Sequence, residues 1–82
     1  MPSDTKPPVT IDVFPDKKHP GEWELEVGIA DAALHKKWGN PLVYDSGFES
    51  SEEAKMNGEF FATAEGHPIA GIKIWEAASD AQ

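Results

Sequence analysis

The stretch Glu22-Trp23-Glu24-Leu25-Glu26-Val27-Gly28-Ile29 alternates acidic and apolar residues with little interruption. Side chains of a strand point to opposite faces with period two. Trp23, Leu25, Val27 and Ile29 therefore share one face, and Glu22, Glu24 and Glu26 share the other. This pattern demands a sheet with one face packed and one face in water. Two further runs have the same character. Val9, Ile11 and Val13 alternate with Thr10 and Asp12, and Ile72 and Ile74 alternate with Gly71, Lys73 and Trp75. The spacing predicts strands over Val9–Phe14, Glu22–Ile29, Leu42–Phe48 and Ile69–Trp75. The first two are joined through a turn at Asp16-Lys17-Lys18-His19-Pro20-Gly21, where Pro-Gly is a strong breaker.

A single long helix is expected at Ser51–Glu65. Ser50 followed three residues later by Glu53 has the form of a capping box, in which the serine accepts from the N3 amide and the glutamate reaches back. Glu52 and Glu53 suit the positive end of the helix dipole. Ala54, Gly58, Phe61 and Ala62 form one stripe, with Met56 and Phe60 beside it. Gly66 and Pro68 end the helix. The element order is then β-β-β-α-β, and the simplest architecture is an α+β domain: a small antiparallel sheet with one helix packed on one face. The helix is expected to contribute Phe60 and Phe61 to the core, and the sheet Trp23, Leu25, Val27 and the isoleucines. The opposite face, bearing the glutamate row, stays uncovered. Residues 30–41 read as a long loop with one or two helical turns, closed by Gly39-Asn40-Pro41. Residues 1–8 read as a flexible leader, 9–76 as the single domain and 77–82 as a flexible tail. No internal repeat is visible.

The segment from Tyr44 to Gly58 resembles the strand-to-helix junction of YegP-like proteins, small bacterial domains in which three strands precede a helix. Gly47, Phe48, Ser50, Ala54, Asn57 and Gly58 carry the likeness. The long 30–41 segment, the added fourth strand and the acidic balance depart from that pattern. The resemblance implies the fold and brings no catalytic residues with it.

Composition narrows function. The 82 residues form one small domain, which buries only roughly 60–65% of its unfolded surface. Fifteen acidic residues against seven lysines, with no arginine, give a formal charge of −8. That charge disfavours direct nucleic-acid binding and anionic membranes. With no cysteine there is no disulfide, thiol nucleophile or Cys-ligated zinc. No apolar run approaches a membrane span, and the N-terminus lacks the pattern of a signal peptide, so a cytoplasmic location is expected.

Catalytic constellations are missing too. His19, His35 and His67 have no spacing that pairs imidazoles on one face, although His19, His35 and Asp31 are free to converge in space. The glutamate row is solvated, with no cleft to separate its pKa values. No serine lies in a Gly-x-Ser-x-Gly context, and 66–71 lacks the lysine and following helix of a phosphate loop. We therefore expect no catalytic residues, no metal ligands, no cofactor and no enzymatic activity.

The candidate partner-binding residues are Glu22, Glu24, Glu26, Trp38 and Trp75. Asp45, Glu49, Glu52, Glu53, Glu59 and Glu65, facing only Lys55, form a second acidic surface. Trp38, in the loop, either stands exposed as a binding anchor or folds back over the end of the core. Trp75 falls on the Lys73 side, either as a contact residue or within a Lys73–Trp75–Glu cluster. The leading expectation is a protein-interaction module, monomeric or weakly homodimeric, that binds another protein with a basic groove through its open sheet face and the 30–41 loop. The alternatives are a nucleic-acid mimic of the phage or mobile-element type that inhibits a DNA- or RNA-binding complex, and a small-ligand or oligosaccharide module using Trp38 and Trp75.

Overall fold

The computed structural model describes residues 6–75. Its elements run β1 (Val9–Pro15), β2 (Trp23–Ile29), a 3-10 turn (Ala32–Leu34), α1 (His35–Trp38), β3 (Val43–Phe48), α2 (Ser51–Glu65) and β4 (Ile69–Ile74). They form an α+β domain in which a four-stranded sheet of order β3-β2-β1-β4 carries α2 on one face. Each expected strand is present, with bounds that differ by one residue at most. The expected tail, 77–82, lies outside the described residues, as do residues 1–5 of the leader. Within 6–8, Pro7 O accepts a hydrogen bond from His67 Nδ1 at 2.9 Å and Pro8 O accepts from Ala30 N at 3.0 Å. The domain's hydrogen bonding thus begins ahead of Val9.

The sheet is mixed rather than wholly antiparallel. β1 pairs antiparallel with β2, and β2 with β3, but β4 lies parallel to β1. The cause is the helix. β3 runs in the same direction as β1, and α2 carries the chain back along the sheet before β4 begins. A strand–helix–strand crossover leaves its two strands parallel. Because α2 passes over β2 and β1, β4 docks at the far edge.

The core is the helix-side face of the two central strands. Val9, Ile11 and Val13 oppose Ile29, Val27 and Leu25 in register, and all six are buried. Burying a side chain of this size contributes about 1.5–3 kcal/mol. The helix meets them with Ala54, Gly58 and Ala62, its three buried residues. A Cβ at Gly58 would lie 2.8 Å from Ile11 Cγ2 and 3.0 Å from Leu25 Cδ1, so the backbone of α2 rests directly on the central strands.

That close seat corrects two expectations about the core. Phe60 is 75% exposed. It lies two residues from Gly58, about 200° round the helix, and so points to solvent; Phe61 is the one that packs on the core. Ile72 and Ile74 are only partly covered, because α2 sits over β1 and β2 rather than over the β4 edge.

The helix ends form largely as the sequence dictates. Ser50 Oγ accepts from Glu53 N at 3.0 Å. The return bond of Glu53 goes to Glu49 N at 2.8 Å, not to the Ser50 amide that a capping box implies. At the other end Gly66 is left-handed, and His67 N donates to Ala62 O at 2.8 Å, a Schellman closure.

Candidate functional site: the open sheet face

Cross-strand register sets which residues meet on the face that α2 does not cover. Tyr44 opposes Glu26, Glu26 opposes Asp12, and Asp12 opposes Lys73, so one row crosses all four strands. The next row holds Ser46, Glu24 and Phe14, which oppose one another in turn, and ends on Trp75. On the other side Gly28, Thr10 and Gly71 form a row of small residues. The face thus has three carboxylates at its centre and aromatic rings at both flanks.

Gly47 makes this face differ from the core side. It is the extra residue of a β-bulge: Trp23 pairs with Phe48 while Glu24 pairs with Ser46. Its φ of +87° suits glycine alone. The bulge shifts the alternation by one residue, so Ser46 keeps to the open face while Phe48 packs on the core.

The flanking contacts are specific. Tyr44 Oη donates to Glu24 Oε1 at 2.7 Å, and this bond, together with desolvation, raises the phenol pKa above 10.0. Trp75 stacks on Phe14 with ring centroids 5.9 Å apart and an interplanar angle of 17°. Its Nε1 donates to Asp12 Oδ1 at 3.2 Å. Lys73 Nζ lies 4.1 Å from the Trp75 ring centroid, a cation–π contact. The Lys73–Trp75 cluster read from the alternation is thus present, and its carboxylate is Asp12 rather than a glutamate. Among the described residues, Asp12, Glu24 and Glu26 form no ion pair. Beside them lies an open groove of about 630 Å³ whose lining includes Phe14, Asp16, Lys17, Glu24, Glu26 and Tyr44.

The other sequence candidates sit at the margin of this patch or away from it. Glu22 precedes β2 and closes the hairpin turn, donating from its N to His19 O at 3.0 Å and accepting at its O from Asp16 N at 2.9 Å. It belongs with Asp16 and His19, whose donor atoms and its own lie within 4.8 Å of one another. Asp16 accepts from Lys18 N and His19 N, and its Oδ2 faces His19 Nδ1 at 3.2 Å. These bonds, the Lys18 amide first, hold its pKa below the ordinary 3.8. These three residues, spaced three apart around the hairpin turn, are brought together by the turn's own hydrogen bonds, which their spacing alone does not signal. His19 and His35 do not converge, since they flank opposite ends of β2. His35 instead donates from Nε2 to Ile29 O at 2.7 Å.

Trp38 closes α1 and packs edge-on against His67, centroids 5.8 Å apart, while His67 stacks on Phe61. It therefore folds back over one end of the core and remains 36% exposed. His67 lies beside Pro7, ahead of the start of β1, whereas Trp75 N donates to Val13 O near its end. The two tryptophans thus stand at opposite ends of β1, roughly 15–20 Å of strand apart, and do not form one stacking site. The second acidic surface is partly neutralised: Lys55 pairs with Glu59 and Lys6 with Glu65, each at 3.7 Å. Among the described residues no helix is long and apolar enough to cross a membrane.

No family model, no curated protein and no solved structure matches this chain.

Proposed function

We propose that this protein is a non-enzymatic interaction module whose open sheet face receives lysine or arginine side chains of a protein partner. One observation carries the reading. Asp12, Glu24 and Glu26 stand together at the centre of an uncovered sheet face, outside any ion pair among the described residues and flanked by Phe14, Tyr44 and Trp75. Like charges directly opposed on a sheet, as Asp12 and Glu26 are, destabilise it. A cation from a partner relieves that repulsion, and the aromatic flanks offer rings to its stem. The Lys73–Trp75 contact is an internal instance of the same recognition. Glu22 stands at the hairpin end of this patch, beside Asp16, and Trp38 lies outside it.

The test is calorimetric titration with a lysine/arginine-rich peptide at low and high salt. Affinity should fall steeply with salt, since exposed charges are screened beyond about 10 Å at 0.1 M. Replacing Glu24 and Glu26 by lysine should abolish binding, while the same change at Glu52 and Glu53 on α2 should leave most of it. Equal losses from both pairs, or binding of the unmodified chain to DNA at physiological salt, would overturn the reading.

A further inference from the structure

The groove beside the carboxylates is lined by charges of both signs. Its volume of about 630 Å³ is that of a ligand cleft. Glu24 and Glu26 of β2 line it between Phe14 of β1 and Tyr44 of β3. Lys17 and Lys18 line it from the turn that joins β1 to β2. That turn leans over the open face: the charge of Asp16, which follows β1, is among those that raise the pKa of Tyr44 on the far side of β2. The hairpin end of the groove is therefore closed by a wall that carries two lysines.

The negative charge of that wall is spent within the turn, and the positive charge is not. The Asp16 side chain is only 9% exposed, accepts from the Lys18 and His19 amides and faces His19 Nδ1. Lys17 and Lys18 are exposed and enter no ion pair among the described residues, although Glu24 and Glu26 line the same groove. Lys17 follows Phe14 by three residues, and Phe14 opposes Glu24. At most roughly 11 Å of chain thus separates the lysine wall from the Glu24 row. One lysine or arginine residue at the end of a chain carries a carboxylate and a cation on a scale that fits this span, with the flexible stems of Lys17 and Lys18 making up the difference.

We infer that the groove holds a C-terminal lysine or arginine of the protein partner, its side-chain cation against Glu24 and Glu26 and its α-carboxylate against Lys17 and Lys18. The inference rests on the cationic reading of this face and names which cation the face takes. Charge complementarity selects the chain end. An internal lysine or arginine offers nothing to the two lysines, and its chain would have to climb over the turn. A terminal carboxylate stops at the turn and meets two ammonium groups, which form charge-assisted hydrogen bonds. Capture of a chain end through its carboxylate is a recurrent mode of peptide recognition.

The test is calorimetric titration of the full chain, at low salt, with a lysine/arginine-rich peptide that ends in arginine, prepared as the free acid and as the C-terminal amide. The amide is the more cationic, so general attraction to a chain of charge −8 favours the amide. The inference predicts the reverse: the free acid should bind at least tenfold tighter, and Lys17→Ser with Lys18→Ser should remove that preference while the amide still binds. Circular dichroism checks that this variant is folded. Should it unfold, amide shifts on the unmodified chain decide the matter, since Lys17 and Lys18 should respond to the free acid and not to the amide. Equal binding of the two peptides, or tighter binding of the amide, would overturn the inference and leave the cationic reading standing. Failure of both peptides to bind would overturn the two together. A preference that persists in the double serine variant would place the carboxylate elsewhere, and free arginine binding as tightly as the peptide would make the occupant a small molecule; either result would overturn the inference.

Discussion

Gly58→Ala tests how α2 is seated, on which the uncovered face depends. In an unconstrained helix this substitution stabilises by about 1 kcal/mol, since alanine loses less backbone entropy. Here the new methyl would lie 2.8 Å from Ile11 Cγ2 and 3.0 Å from Leu25 Cδ1. Ile11 is fully buried, and its Cγ2 is fixed to a β-branched carbon that cannot swing away without leaving its rotamer. Overpacking of this kind costs about 1–3 kcal/mol. The packing term is the larger, and the net effect is a loss on the order of 1 kcal/mol. For a domain of this size that lowers Tm by roughly 4–8 °C. Thermal denaturation followed by circular dichroism is the assay, with Thr63→Ala on the exposed side of α2 as control, expected to be neutral or to stabilise by a few tenths of a kcal/mol. A rise in Tm for Gly58→Ala would show that the helix does not rest on Ile11 and Leu25.

Three further outcomes follow from local geometry. Ser50→Ala removes the acceptor of the Glu53 amide and should cost about 1 kcal/mol in chemical denaturation. Tyr44 is the only tyrosine, so its ionisation is read directly from phenolate absorbance; it should titrate above 10.0 in the unmodified chain and return toward 10.0 in Glu24→Ala, which removes the hydrogen-bond acceptor. Asp16 has a lowered pKa, caused first by the Lys18 amide, so its charge contributes stability that is present above 3.8 and is lost as pH falls through the lower folded value. The gap between the unmodified chain and Asp16→Asn in denaturant midpoint should therefore hold at neutral pH and close below pH 3.8.

Local signals in the sequence were legible because their causes are local. The alternation through Leu25, Val27 and Ile29 marks a strand wherever it pairs, and Ser50 and Gly66 mark helix ends by their own backbone needs. The direction of β4 was not legible, because it depends on a crossover that carries the chain past two intervening strands. Phe60 misled for a related reason: its size suggests the core, but the small residues Ala54, Gly58 and Ala62 set how closely the helix approaches, and they leave it outside. At the site, Glu24, Glu26 and Trp75 were assigned to the open face by parity alone. Asp12, Phe14 and Tyr44 have the same parity, yet their roles emerge only when register lines them up across strands. Gly47 shifts the parity of Phe48, which no count by twos anticipates.

The central claim is that the uncovered sheet face takes the cationic side chains of a partner. The most direct measurement is amide chemical-shift mapping of the isotopically labelled chain titrated with a lysine/arginine-rich peptide at low salt. The claim predicts that shifts concentrate on Asp12, Phe14, Glu24, Glu26, Tyr44 and Trp75, and that they vanish when Glu24 and Glu26 are changed to lysine. Shifts centred on Glu52, Glu53 and Glu59 of α2, with the sheet face unmoved, would contradict it.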